Sequence, residues 1–354
     1  MEIQLIDHIV YADYDELRVN NAVVNQIVCN TEETWQPDRP VEERGKNTRQ
    51  GKIAKEIVET FIKTHFNAEL SMKTYDDIRN DNYEKHAPFD FLIWKSGEAD
   101  IEPIEAAIRK DILSTEKKNV KLSKYTRELC KELHVKIAEV KSTKIRAGLK
   151  RDACFEGNYE DMESVKKLAD TIKKKDDVFC YPHYKRSEID PNYSMSEYCQ
   201  YVKSIEPSLA IYDGEELKKK VIDIELEKQC SDIFIRVYID PAAKKGFVIG
   251  WMQRERLLDY AVRLKRMHQE GKSERALYFA KNLRETEILE KLPTLFKAET
   301  SVYASPFTST DFYHKRADCC YLSRVRLGDM IVFESEEEAV KHSRYKHRCR
   351  KCFG

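Results

Sequence analysis

Glycine is scarce in this chain, with 11 in 354 residues. No Gly-x-x-x-x-Gly-Lys occurs, so an NTPase phosphate loop is not expected, and little material is left for a dinucleotide-binding turn. Neither Gly-x-Ser-x-Gly nor His-Glu-x-x-His occurs, which sets aside two common hydrolase signatures. No apolar run is long enough for a membrane-spanning helix, which needs roughly 18 or more residues. No secretory apolar segment opens the chain, since Met1 to Arg18 carries acids throughout. Charge of one sign is also missing: 62 basic and 62 acidic residues give a formal net charge of zero. A nucleic-acid binder with this balance needs local basic surface instead. Cys29, Cys130, Cys154, Cys180, Cys199 and Cys230 are scattered, which reads as reduced thiols rather than a disulfide framework. A reducing cytoplasm is therefore expected, in a bacterial, phage or viral host cell.

What the chain does contain is a short apolar strand, Val135 to Lys141, that ends in Glu139-Val140-Lys141. Side chains alternate along a strand, so Glu139 and Lys141 share a face while Val140 takes the other. Such a pair on an apolar strand is costly to bury unless it is paired or bound to an ion. A second apolar strand, Phe89 to Trp94, carries Asp90 near its start. Two carboxylates offer the hard oxygen ligands that Mg²⁺ prefers, and a nearby lysine can orient water or stabilise developing charge. That set suits metal-dependent phosphodiester cleavage. The competing reading is an ordinary ion pair at a strand end.

The pattern Pro88-Phe89-Asp90 … Glu139-Val140-Lys141 resembles the signature of the PD-(D/E)XK nuclease superfamily, which includes many restriction endonucleases. The resemblance implies an α/β fold: a restriction-endonuclease-like mixed sheet flanked by helices. It also implies an opening helix with a glutamate near the metal. The segment from Gly51 to Val58, with Ile53, Ile57 and Phe61 at helical spacing, fits that role and offers Glu56. Asp90 and Glu139 would hold Mg²⁺, Lys141 would position or activate water, and Glu56 would assist. Segments 231–239 and 246–252 read as a strand pair around a turn and resemble later strands of the same core. One departure concerns the interval between Asp90 and Glu139. Two segments there, 102–113 and 122–133, look helical, and Asp100, Glu102 and Asp111 compete with Asp90.

The C-terminus carries a second pattern. His314 and Cys319 precede a segment, Met330 to Ala339, that reads as a strand and then a helix capped by Ser335. Cys349-Arg350-Lys351-Cys352 follows. Thiolate and imidazole ligands at this spacing suit tetrahedral Zn²⁺. The order resembles the small zinc module of the Ada DNA-repair protein and related modules appended to nucleases. Carried over, it implies His314, Cys319, Cys349 and Cys352 as structural zinc ligands. Cys320, His342 and His347 compete for places in the set.

Two basic runs lie beside these patterns. Lys141 to Arg151 holds five cations and no acid, and Lys144, Arg146, Lys150 and Arg151 are candidate DNA contacts. Lys341 to Lys351 holds six. Residues 31–50 read as loop, 158–175 as a helix, and Tyr181, His183, Tyr184 and Tyr193 as an aromatic cluster able to stack on bases. The expected organisation is an N-terminal segment 1–47, a nuclease core 48–300 with helical insertions, and a zinc module 301–354. The expected function is a Mg²⁺-dependent endodeoxyribonuclease acting on double-stranded DNA, most simply a restriction endonuclease and possible homodimer. Two alternatives stand beside it: a repair or anti-phage nuclease that reads DNA structure, and a non-catalytic zinc-containing DNA-binding or interaction protein with a degenerate nuclease fold.

Overall fold

Alternating apolar residues along β-prone segments build one central sheet, and amphipathic helices cover both its faces. The structure is a computed structural model. It describes all residues except 7, 15–18, 31–39, 117–118, 181–193, 229, 258–262, 269–274, 297–301, 308–310, 317–318, 320, 323–324, 326–329, 334 and 354. The chain opens with the hairpin β1 (Glu2–Ile6) and β2 (Ile9–Asp13) and the helix α1 (Asn21–Asn30). Then come α2 (Val41–His65), β3 (Leu70–Thr74), the single turn α3 (Tyr75–Ile78) and β4 (Phe91–Lys95). Helices α4 (Glu102–Ser114) and α5 (Lys124–Glu132) lead into β5 (Lys136–Lys144). After α6 (Ala147–Asp152), α7 (Met162–Lys173), β6 (Asp176–Cys180), α8 (Met195–Ile205) and α9 (Gly214–Lys228), the long hairpin β7 (Ile233–Asp240) and β8 (Lys245–Gln253) completes the sheet. The helical turn α10 (Arg254–Leu257) and the hairpin β9 (Arg263–His268) and β10 (Arg275–Asn282) follow. The C-terminal region holds β11 (Val302–Ala304), β12 (Phe312–Tyr313), β13 (Ile331–Phe333), α11 (Glu336–Lys341), β14 (His347–Arg348) and α12 (Arg350–Phe353).

The main sheet has seven strands in the order β1-β2-β8-β7-β5-β4-β3. Neighbours are antiparallel except β5 and β7, which run parallel across the α6–α9 crossover. The period-2 pattern divides its faces. Phe91, Ile93, Ala138, Ile233, Ile235 and Ile239 point to one core, roofed by Ile53, Ile57, Phe61 and Ile62 of α2. Leu92 and Ile137 point the other way, against Ile104, Ile108 and Ile112 of α4. Phe234, Tyr238 and Phe247 on that second side pack under α7, α8 and α9. Arg236 sits within this apolar layer, only 2 % exposed. It is ion-paired with Asp177, and donates to Val178 O at 3.0 Å and to Thr143 Oγ1, tying β6 to the sheet. Gly250 on β8 meets a backbone turn: a Cβ there would lie 2.4 Å from Glu287 O.

Two expectations need correction. The boundary at residue 47 falls inside α2, and residues 1–47 are no separate segment, because β2 pairs with β8 and Val24 and Val28 of α1 join the α2 core. Residues 41–50 are helical rather than loop. Their polar composition hid the helix, since amphipathic periodicity is carried only by the apolar half from Ile53 onward. The expected helices between Asp90 and Glu139 are present as α4 and α5, and Ser335 does cap α11, accepting from Glu338 N at 3.3 Å. The cluster Tyr181, His183, Tyr184 and Tyr193 lies outside the described residues. Among the described residues no helix is long and apolar enough to cross a membrane.

Candidate active cleft and candidate metal centre

The first site follows from strand register. The pairing of β4 with β5 ends at Phe91 opposite Ala138, and Asp90 and Glu139, the next residue on each side, both border one cleft. Asp90 N donates to Ala138 O at 3.0 Å, which fixes Asp90 against β5. The forty-odd intervening residues leave this meeting intact because α4 and α5 pack on the sheet face and return the chain to the neighbouring position. Asp90 is clamped: its Oδ2 accepts from Val140 N at 2.6 Å, and Lys55 Nζ stands 2.5 Å from its Oδ1. Lys141 is ion-paired with Glu139.

A cleft of about 270 Å³ opens over these groups. Thr48, Gly51, Lys52 and Lys55 of α2 line one wall at i, i+3, i+4 and i+7, which is one helical face. Asp76, Arg79, Tyr83 and Lys85 line another, with Asp90 and Glu139 at the floor. The charged lining is thus four cations against three carboxylates. Thr48 is 7 % exposed and its Oγ1 has no hydrogen-bond partner. Lys52 pairs with Asp76 and lies 5.3 Å from the Tyr83 ring centroid. Arg79 lies 4.4 Å from the same ring and grips Asp81 at 2.7 Å. Asn82 and Tyr83 both have positive φ, 48° and 64°, a left-handed turn that side chains other than glycine resist.

Burial pushes the Lys55 ammonium down, but Asp90 and Asp76 outweigh it and hold the group above the ordinary lysine value. Burial likewise pushes Asp76 up, and Lys55, Lys52 and Arg79 outweigh it, so its carboxyl sits below the ordinary range. For Lys52 burial prevails and lowers the value. Burial, then Arg79, lowers His86, so this imidazole at the cleft wall is neutral at pH 7.

The competing acids are accounted for. Asp111 is buried and accepts from Ser123 N at 2.9 Å and Thr126 Oγ1 at 2.6 Å, which ties α4 to the start of α5. Asp100 accepts from Glu102 N at 3.0 Å, and Glu102 is exposed in the first turn of α4. Neither they nor Glu56 are among the described residues lining the cleft. The helix face turned to the site carries lysines where a glutamate was expected. Asp76, Lys52, Lys55 and Arg79 were not foreseen. Their only sequence signal was a run of polar residues on both sides of a short strand.

Of the basic run, Lys144, Arg146 and Arg151 are exposed. Lys150 instead pairs with buried Asp240, which also accepts from Tyr159 Oη at 2.7 Å. At about 3.3 Å per residue, Lys144 stands roughly 17 Å along β5 from Glu139.

The second site lies at the C-terminus. Strands β12 and β14 are parallel, with Tyr313 beside Arg348, so the next residues, His314 and Cys349, come together. Cys349 N donates to Tyr313 O at 2.8 Å. His314 is fixed further by paired backbone bonds with Tyr303, at 2.7 and 2.8 Å. Cys352 arrives one turn later on α12, and Cys319 comes from a turn in which Leu322 N donates to Cys319 O at 2.7 Å. One ligand atom from each of His314, Cys319, Cys349 and Cys352 lies within 4.8 Å of the others. The Cys319–Cys349 sulfurs are 3.9 Å apart, and His314 Nδ1 is 3.8 Å from Cys352 Sγ. Tetrahedral zinc with Zn–S of about 2.3 Å and Zn–N of about 2.05 Å requires edges of roughly 3.8 and 3.6 Å. This buried cluster can hold a metal ion such as zinc.

The competing histidines are engaged elsewhere. His342 packs against Tyr345 and accepts from Arg344 N at 3.3 Å, while His347 faces Asp311 at 3.3 Å. Cys320 lies outside the described residues. Burial pushes the Cys130 thiol up to about 12 and that of Cys199 to about 11, as expected for inert packing thiols. No family model, curated protein or solved structure matches this chain.

Proposed function

We propose that the protein is a Mg²⁺-dependent endodeoxyribonuclease of the PD-(D/E)XK kind, most simply a restriction endonuclease, with a structural zinc module at its C-terminus. The observation that supports this reading is that Asp90 and Glu139, just past the end of the β4–β5 pairing, border one cleft whose lining carries four cations and three carboxylates. The donor set fits the ion: Asp90 Oδ1 and the Glu139 carboxylate are hard oxygens, and both border the cleft. When bound, Mg²⁺ polarises the scissile phosphate and lowers the pKa of attacking water.

The chain's own groups do the rest. The Val140 amide fixes Asp90 so that one oxygen faces the cleft. Lys141 orients the nucleophilic water or neutralises charge on the phosphate, as its partnership with Glu139 allows. Lys55 and Lys52 give up their carboxylate partners to phosphate oxygens when DNA enters. The Thr48 hydroxyl supplies a neutral donor to the same anion. Strand β5 leads from the cleft to Lys144 and Arg146, which extend the contact along the backbone. The zinc cluster organises the C-terminal unit, where four protein ligands leave no open coordination position.

One observation favours the non-catalytic alternative. The cleft's carboxylates already have cationic partners, Lys55 on Asp90, Lys52 on Asp76 and Lys141 on Glu139. Supercoiled plasmid and unmodified genomic DNA, incubated with the purified protein and Mg²⁺, separate the readings. Discrete fragments support a restriction enzyme, and nicking or a smear supports the structure-reading nuclease. Intact DNA alongside retained binding sinks the catalytic reading.

A further inference from the structure

The C-terminal unit carries a cavity that the cleft chemistry does not use. It measures about 630 Å³ and opens beside the His314–Cys349 edge of the ligand cluster. Among the described residues its walls include Phe312, Tyr321, Leu322 and the His314 ring, with Arg350 and Lys351 at one side. Phe312 is 37 % and Tyr321 66 % exposed, large apolar rings left at the surface of a small unit. The His314 and Tyr321 ring centroids are 6.4 Å apart. Aromatic faces about a recess, bordered by cations, match a ligand with a flat apolar part and an adjoining anion. A nucleotide has both: the base stacks on aromatic rings, and its phosphates meet Arg or Lys. A purely apolar molecule would use the rings of the recess but not the charges at its side. A fully paired duplex must unpair and unstack a base, at a cost of a few kcal/mol, to send one into a recess, whereas an unpaired base enters at less cost.

We propose that this cavity binds a single unpaired nucleotide of DNA, with the base against Tyr321 and Phe312 and the flanking phosphates on Arg350 and Lys351. The proposal rests on reading the protein as a DNA binder, not on the chemistry of the cleft. A base held here would lie on a unit whose shape depends on the cysteine cluster, so zinc would set the recognition surface as well as the fold.

The test uses the full-length, zinc-loaded chain carrying Glu139→Ala, without Mg²⁺, so that binding is read apart from cleavage. The probes are a labelled matched duplex, the same duplex with one bulged base, and the bulged duplex with an abasic sugar at the bulge. Fluorescence anisotropy gives each affinity. The bulged duplex is expected to bind about tenfold or more tightly than the matched and abasic ones, in line with one base–aromatic stack. Tyr321→Ala removes that preference and leaves matched-duplex binding unchanged, and Phe312→Leu reduces it. Zinc content in each variant shows that the unit remains folded. Equal affinity for all three probes overturns the proposal, as does a preference untouched by Tyr321→Ala with zinc retained. A protein that cuts no plasmid yet keeps the preference removes the nuclease reading and leaves this inference standing.

Discussion

The two candidate sites solve opposite electrostatic problems. In the C-terminal cluster three sulfurs and an imidazole nitrogen converge within 4.8 Å, a set of donors that a single cation could unite. In the cleft each carboxylate is matched by an ammonium from another part of the chain or from two residues away. An ion bound in the first arrangement would be part of the fold. The second holds its groups in place without an ion and leaves them exchangeable. Metal loss should therefore unfold one region and merely silence the other.

The largest expected effect tests the first half of that contrast. Cys349→Ser should lower zinc from about one ion per chain and release residues 302–353, a unit with too little apolar burial to stand alone. Hydrogen exchange should show protection lost there and kept in β4, β5 and β7. Lys291, fully buried, ties the unit to the core by donating to Leu322 O at 3.1 Å. Unchanged zinc content and protection would show that the cluster is packing rather than a metal centre.

Next in size is the cleft. Glu139→Ala and Lys141→Ala should each reduce cleavage by about two to four orders of magnitude, with little change in thermal stability. Asp90→Asn should do the same and reduce Mg²⁺ affinity. Asp111→Ala supplies the contrast, since it removes the oxygen that accepts from both Ser123 and Thr126 and should cost about 1–3 kcal/mol of stability while cleavage at permissive temperature persists. Wild-type cleavage by Glu139→Ala would remove the site assignment. Loss of cleavage without loss of stability in Asp111→Ala would redirect it.

The same contrast explains what could be read in advance. The cysteine cluster was legible because its ligands are uncommon residues at short spacing, and the two-residue parallel pairing of β12 and β14 supplies the rest. Glu139-x-Lys141 was legible because strand periodicity alone puts both on one face. Asp90 was legible as a residue but not as a partner, since strand register across a long helical insertion is a tertiary property. Asp76, Lys52 and Lys55 were not legible. Acids and lysines on helices usually face solvent, and nothing local distinguishes those that line a cleft. The first turns of α2 were missed for a related reason, because the face they present is polar and its partner is the site itself.

A smaller effect separates the basic run into two kinds of residue. Replacing Lys144, Arg146 and Arg151 with glutamine should weaken DNA binding and flatten the slope of log K against log salt by about one per lost phosphate contact. Lys150→Gln should leave the slope alone and cost about 1–3 kcal/mol of stability, because it removes the cationic partner of the buried Asp240 carboxylate and leaves it the Tyr159 hydroxyl. A slope change from Lys150→Gln, or none from the triple variant, would reverse these roles.

The smallest effect concerns Asp76, whose carboxyl is held below the ordinary range because Lys55, Lys52 and Arg79 outweigh its burial. A depressed folded value means that the unfolded chain takes up the proton first as pH falls. The stabilisation is complete above the unfolded pKa, about 3.9, and is lost as pH drops through the lower folded value. Asp76→Asn should therefore melt below wild type at neutral pH, with the gap closing as the buffer is taken below about pH 4. The variant also leaves Lys52 and Lys55 with less negative charge nearby, so DNA should bind it more tightly at low salt while Mg²⁺ dependence through Asp90 and Glu139 is kept. Melting curves across the acid range decide the first point. A gap that stays constant with pH would mean that Asp76 contributes by packing rather than by charge, and the cleft would then be less exchangeable than its ion pairs imply.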